Sequence, residues 1–327
     1  MNLPRRVFLR LAASAAVLPA VPRIVLAQSY PSRPVHMVVG FAAGSASDIL
    51  ARLIGDRLSQ KLGHPFVIEN RGGAGGTVGA EMAARAPADG YTLLVSGSAD
   101  AVTATLYDKL NYSFLRDLAP IAGIALSPLV LVVPPSFPAK TIPEFIAYAK
   151  ANPHKINYGS AGVGSVAHMA GALFESDAKV QMVHVPYRGL APALTDLMGG
   201  RLQAVFSTMP PAVAHVKAGR LRALAVTSVA RSEAFPDLPT IGDSLPGYEA
   251  SITEGLSAPK GVPAAVVNIL NKEVTTAIAD PQIKAKLAAL GTVPAPMAPG
   301  DYGNYLAKET EKWAKVIKAA DLKPAKS

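Results

Sequence analysis

One arrangement occurs twice in this chain and limits its possible folds more than any other feature: a short apolar strand, a turn built only of small residues, then a helix. In Pro34–Arg52, Val35, Met37, Val38 and Val39 form the continuous apolar run of a buried parallel strand. Ile49, Leu50, Leu53 and Ile54 recur at helical spacing and predict a helix opening at Ser47 or Asp48. Between them stand Gly40, Ala42, Ala43, Gly44, Ser45, Ala46 and Ser47. The same grammar returns after a predicted strand at Ile156–Tyr158, where Gly159-Ser160-Ala161-Gly162-Val163-Gly164-Ser165 leads into a helix bearing His168. Such turns leave backbone N–H groups open at a helix N-terminus, where the macrodipole favours negative charge. Each turn alone is either an anion site or merely a tight connection, because α/β folds contain many of them.

The chain around these units keeps alternating. Pro65–Glu69 and Tyr91–Ser96 read as strands, with a helix over Thr77–Arg85 and a glycine-rich loop, Asn70-Arg71-Gly72-Gly73-Ala74-Gly75-Gly76, ahead of it. Leu118–Ala125 and Pro128–Val133 are two apolar runs joined by Leu126 and Ser127, and Pro134, Pro135 and Pro138 break the chain after them; the stretch as a whole reads as the crossover into a second unit. Thr141 with Glu144 is a capping box for a helix over Ile142–Ala151. Strands at Gln181–Pro186, Ala204–Ser207 and Leu224–Thr227 alternate with helices at Ala191–Met198 and Pro211–Ala218, and three helices close the chain over Pro263–Ala279, Pro281–Leu290 and Asp301–Ala320. Repeated strand–helix–strand units predict parallel sheets flanked by helices, which bind ligands at the C-terminal edge of their strands. Two α/β lobes follow, with the last helices returning to the first.

Met1–Ala27 belongs to targeting rather than to fold. Arg5 and Arg6 precede Phe8 and Leu9, an Ala-rich apolar run follows, and Val25-Leu26-Ala27 ends it, the pattern of an export signal with twin-arginine character cleaved near Ala27. Its loss removes four arginines and no acid, taking the formal charge from +9 to +5. With one tryptophan and no dense basic run, no nucleic-acid partner is expected. No later stretch is long and apolar enough to span a membrane, so the exported chain is expected to be soluble. It has no cysteine, which excludes disulfides, thiolate metal sites and cysteine nucleophiles.

Enzyme signatures are scarce. No Gly-x-Ser-x-Gly elbow and no His-Glu-x-x-His occur, and the six histidines are scattered, so neither hydrolase chemistry nor a metal site is expected. Gly162-Val163-Gly164-Ser165-Val166-Ala167 does fit the dinucleotide pattern Gly-x-Gly-x-x-Ala, with Arg188 after the next strand placed for an NADP phosphate. That leaves an exported NADP-linked oxidoreductase as the alternative. Asp48 is either a first-turn carboxylate that stabilises its helix or an acceptor that shapes the turn or holds a ligand. His168 is likewise either a structural histidine or a ligand contact, while Tyr187 and Arg188 end a strand on the ligand edge.

Several motifs together carry a resemblance: Gly44 with Asp48 and Arg52, Glu69–Gly76, Ala88–Leu94, Gly159–Ser165, His184-Val185-Pro186-Tyr187-Arg188-Gly189, Ala191–Leu197 with Gly199-Gly200, and Leu221–Thr227. In this order and spacing they resemble the tripartite tricarboxylate transporter substrate-binding proteins, the Bug family of periplasmic solute receptors, over essentially the whole mature chain. The resemblance implies an α/β chain of the type II periplasmic-binding-protein fold, two lobes closing over a small carboxylate or related amide. Carried onto this chain, one jaw is Phe41, Ala42, Ala43, Gly44 and Ser45 with Asp48. The other is Ser160, Ala161, Gly162, Gly164 and Ser165 with His168; Tyr187, Arg188 and Ser98 line the cleft. It further implies no catalytic residue, no cofactor, a periplasmic monomer, and membrane transporter subunits or a sensor protein as partners. The expected layout is a signal over 1–27, lobe 1 over 28–126, lobe 2 over 127–252 and a return to lobe 1 over 253–327. Ala42-Ala43 and Ser45 stand where the family often has prolines and a second glycine, Gln203 where an acid is common, and Glu254 where an aromatic is frequent.

Overall fold

Val35–Val39 (β1) is apolar towards both faces of its sheet, and both faces are covered: Val35, Met37, Val38 and Val39 are at most 1% exposed. It runs parallel to Phe66–Asn70 (β2) on one side and to Thr92–Gly97 (β3) on the other. The computed structural model describes residues 30–107 and 109–324; the export segment expected over residues 1–27 lies outside the described residues. Ala46–Leu62 (α1) and Thr77–Ala84 (α2) flank these strands, and Ser98–Leu106 (α3) leaves the end of β3. α1 starts at Ala46, earlier than the apolar spacing predicts, because Ser45 adopts extended backbone and its Oγ caps the Asp48 N–H.

Past a helical turn at Phe114–Asp117 comes Leu118–Val133 (β4), a single strand of 16 residues. The remaining elements are Ile142–Ala151 (α4), Asn157–Ser160 (β5), Val166–Ala178 (α5), Val183–Pro186 (β6), Leu190–Met198 (α6), Ala204–Thr208 (β7), Met209–Lys217 (α7) and Arg222–Val226 (β8). Ser251–Pro259 (β9), Ala264–Ala279 (α8), Pro281–Ala289 (α9), Val293–Met297 (β10) and Pro299–Ala319 (α10) complete the chain. The strand order is β2-β1-β3-β9-β4-β7-β5-β6, with β8 and β10 also pairing β4.

β4 explains how the halves join. The two apolar runs are one strand, because Leu126 and Ser127 remain extended and pair with Thr253 and Ile252 of β9. Its first part lies antiparallel to β9, and its last residues pair with β7 and β8 of the other half. The chain therefore passes from one half to the other within this strand. The Thr141 cap also differs in detail: Thr141 Oγ1 accepts the Glu144 N–H, but Glu144 Oε2 accepts from Lys140 N–H at 2.7 Å rather than from Thr141.

One apolar cluster packs α1, α8 and α9 on the β1 side, with Leu50, Ile54, Leu270 and Leu287 at its centre. A larger one runs through both halves and joins Leu94, Val102, Tyr158, Phe174 and Trp313. α10 supplies Tyr302, Leu306 and Trp313 to it and packs against α3 and α5, so the last helix touches both halves instead of returning only to the first.

Candidate functional site

The first turn, at the C-terminal end of β1, is held by its own side chains. Gly44 has φ 82°, and its N–H donates to Asp48 Oδ2 at 2.8 Å. Asp48 is buried and also takes bonds from Arg52 Nε at 3.0 Å, Arg52 Nη2 at 2.9 Å and Asn70 Nδ2 at 3.0 Å. Burial alone would raise its pKa, but these four donors outweigh that and hold the carboxyl below its usual range. Every lone pair of Asp48 is thus engaged in shaping the turn. Asn70 also donates to Phe41 O at 3.0 Å, which ties the glycine-rich loop to the turn.

The second turn, after β5, repeats three bonds of the first. Gly164 has φ 80° and donates its N–H to His168 Nδ1 at 3.2 Å. Ser165 caps α5 by accepting the His168 N–H at 3.3 Å, as Ser45 accepts the Asp48 N–H at 3.3 Å. Ser165 N–H donates to Gly162 O and Ser45 N–H to Ala42 O, both at 3.2 Å. After these bonds the N–H groups of Ala46, Ser47, Val166 and Ala167 have no intrachain acceptor among the described residues, the ordinary condition of a helix's first turn.

The one cation at the first turn, Arg52, is taken up by Asp48, and the second turn has neutral rings in that place. The His168 ring stacks on His184 with centroids 3.8 Å apart, and Ser160 Oγ lies 2.6 Å from His184 Nε2. Burial lowers the His168 pKa to about 4, and burial with the neighbouring His168 lowers that of His184 to about 3. Both rings are neutral at physiological pH. Ser160 Oγ also accepts the Gly162 N–H, and Tyr187 N–H donates to Ser160 O at 3.1 Å, so Ser160, Ala161, Gly162 and Tyr187 form one cluster. The Tyr187 hydroxyl is spent on Asp196 at 2.7 Å, and Arg188 is exposed.

Ser98 stands apart from these. It is fully buried, donates to Ser251 O at 3.2 Å, and accepts the Thr253 N–H at 2.9 Å, so its hydroxyl anchors α3 to β9 instead of opening onto a cleft. The lobes do meet nearby: a Cβ on Gly164 would lie 2.8 Å from Leu106 at the end of α3.

Two residues of the site carry little signal in the sequence. His184 stands out only as part of a motif, although its alternation with Val183 and Val185 on a short strand puts it on the Tyr158 face. Glu254 stands out only as an unusual residue before Gly255. It is 5% exposed and accepts a hydrogen bond from Ser47 Oγ in the first turn of α1. Burial raises its pKa to about 7 against the lowering effect of Ser47. Among the described residues no group of three metal-ligating side chains gathers, and no helix is long and apolar enough to cross a membrane.

Residues 50–322 match the family model of the tripartite tricarboxylate transporter family receptor. Rpa4515 of R. palustris, solved with adipate, is 35% identical and superposes with a TM-score of 0.83 over 90% of this chain and 99% of its own. The periplasmic binding protein BugD is 34% identical, with a TM-score of 0.80 over 90% of this chain and 99% of its own. MatC from Rhodopseudomonas palustris, solved with bound malate, is 33% identical, with a TM-score of 0.79 over 88% of this chain and 100% of its own. The two-lobe α/β architecture expected from the sequence is the fold these proteins share. The oxidoreductase alternative finds no support: the family model and the similar solved structures are those of solute-binding receptors.

Proposed function

Because the chain belongs to the tripartite tricarboxylate transporter receptor family, we propose that it is a non-enzymatic periplasmic receptor that captures a small carboxylate between its lobes. Dicarboxylates of the adipate and malate kind, the ligands of its relatives Rpa4515 and MatC, are the first candidates, with related amides next. The observation that carries this reading is the duplicated turn. Gly44-Ser45-Ala46-Ser47-Asp48 and Gly164-Ser165-Val166-Ala167-His168 share three bonds, lie on opposite sides of the β4–β9 connection, and each leaves two N–H donors open. Neutral donors at two helix ends bind a carboxylate without a buried cation to compete with.

In this reading Phe41–Ser45 and Ser160–Ser165 border the ligand, and the N–H groups of Ala46, Ser47, Val166 and Ala167 just beyond them bind it. Asp48 and His168 set those backbones, and Tyr187 and Arg188 border the opening. Lobe 1 over 28–126, lobe 2 over 127–252 and the return over 253–327 rotate about β4 and β9 near Ala125–Pro128 and Ser251–Leu256. The receptor works as a monomer, reaches the periplasm through a signal cleaved near Ala27, and hands its ligand to transporter subunits or a sensor. Thermal-shift screening against dicarboxylates, tricarboxylates, aromatic acids and their amides tests it, since a ligand held only by the native state raises the melting temperature. At least one carboxylate is expected to give a saturable rise; a flat response across the panel would sink the reading.

A further inference from the structure

The alternation of β9 sorts its side chains between two faces. Thr253 Oγ1 donates to Tyr305 Oη at 2.7 Å, and a Cβ on Gly255 would lie 2.5 Å from the Tyr302 ring, so both residues face α10. Glu254, Leu256 and Ala258 point to the other face. Leu256 and Ala258 are buried in the core under α1 and α8, and Glu254 is the next residue of that row. It pairs with Gly97, the last residue of β3, and therefore lies at the edge where the parallel strands end and the first turn begins. An apolar row turns acidic at the ligand edge.

The surroundings give this acid no counter-charge. Among the described residues no lysine, arginine or histidine nitrogen lies within 4.0 Å of it, and its one side-chain bond is to Ser47 Oγ, next to the open N–H groups of the first jaw. Most other ionisable groups on the packed elements are engaged elsewhere. On α1, Asp48 is paired with Arg52, and on α2, Glu81 is paired with Arg85. On α3, buried Asp100 accepts the Gly97 N–H at 2.8 Å, and burial pushes its pKa up to about 7 too, so the Glu254→Gln variant is what separates the two acids. On α10, Tyr302 bonds Ser96 O, Tyr305 bonds Thr253, and Glu309 is paired with Lys312; β4 has no ionisable residue. Across the opening His168 and His184 are neutral, and Arg188 is at the surface.

Resting on the receptor reading above, we propose that Glu254 is the ligand-reading acid of the cleft floor: it is protonated when a carboxylate is captured, and its O–H then donates to the bound anion. Two carboxyl groups in one poorly solvated site do not both ionise, so an arriving anion drives the floor carboxyl to its neutral form. Burial already brings the Glu254 pKa to about 7, so the proton is taken up within the physiological range. Capture of one anion is thus coupled to uptake of one proton. This selects fully ionised carboxylates over ligands that bring a cation to the same place.

Calorimetric titration of the mature chain with adipate and with malate, from pH 6.5 to 8.5 in buffers of different ionisation enthalpy, tests this. Both ligands are fully ionised there, so their own protons do not contribute. The wild type is expected to lose about tenfold in affinity per pH unit above 7 and to take up close to one proton at pH 8. Glu254→Gln is expected to bind with a flat profile and no uptake. Ser47→Ala, which removes only the bond that lowers the Glu254 pKa, is expected to shift the midpoint of the profile to higher pH. It serves as the second arm if Glu254→Gln does not fold. Binding by the wild type with no pH slope, or a slope unchanged in both variants, overturns the proposal alone. No binding of either acid or of the wider panel at any pH overturns the receptor reading with it.

Discussion

Gly164 donates its N–H to His168 Nδ1 at 3.2 Å, in the same five-residue frame in which another glycine, Gly44, donates to the carboxylate of Asp48 at 2.8 Å. One lobe uses an anion and the other a neutral ring to brace the same left-handed glycine. In each case the side chain four residues on absorbs the glycine N–H, and the first two N–H groups of the helix stay open. The choice of brace has consequences that can be measured separately from binding.

Asp48→Ala removes four hydrogen bonds to a buried carboxylate, three of them involving Arg52 or the turn glycine. The loss of stability is expected to be about 1–3 kcal/mol, read as a lower urea midpoint at unchanged slope. Ligand affinity is expected to fall more than stability does, because the turn loses its shape; Ser165→Ala is expected to do the same at the second turn. Equal losses in both quantities would leave these residues with a purely structural role.

The neutral brace makes the protein acid-sensitive. The folded pKa of His168 is about 4 and lies below the unfolded value of about 6.5. The unfolded chain therefore binds the proton first, and stability falls as the pH drops from about 6.5 towards about 4. For His168 alone the effect is on the order of 3 kcal/mol once the pH is below both values, and His184 adds in the same direction. Glu254 and Asp100, whose pKa burial raises to about 7, act the other way over the same range, so the histidine is read as a difference: the denaturant midpoint of wild type relative to His168→Gln is expected to fall between pH 7 and 4. A difference that stays constant down to pH 4.5 would contradict the buried, neutral ring.

The two glycines differ in what surrounds them. A Cβ at Gly44 would meet nothing within 4 Å, whereas one at Gly164 would press on Leu106 of the other lobe at 2.8 Å. Gly44→Ala is expected to cost about 1–2 kcal/mol, the strain of a left-handed alanine. Gly164→Ala is expected to cost more and also to hold the lobes apart, seen as a larger radius of gyration in solution scattering with saturating adipate. Equal radii for the two variants would mean that the Gly164–Leu106 contact does not control closure.

Much of this was legible because the apolar patterning is strict. Val35–Val39, the small-residue turns and the serine caps have local causes, and a sequence shows local causes directly. The continuity of β4 was hidden: Leu126 and Ser127 stay extended because β9, more than a hundred residues later, supplies their partners. α10 has an amphipathic pattern that fixes which face is buried, but not that Trp313 would reach the core shared with Phe174. Ser98 looked like a cleft hydroxyl for the same reason, since its acceptor, Ser251 O, is 153 residues away. Ser47 and Glu254 are 207 residues apart, and no spacing rule joins them.

The account stands or falls on whether both turns grip one ligand through backbone. The direct measurement is to follow the amide signals of Ala46, Ser47, Val166 and Ala167 by nuclear magnetic resonance while adipate or malate is added to the mature chain. All four are expected to shift, saturating with one dissociation constant, as N–H donors do when they meet a carboxylate. Saturable binding that leaves the amides of either turn unmoved would contradict the clamp.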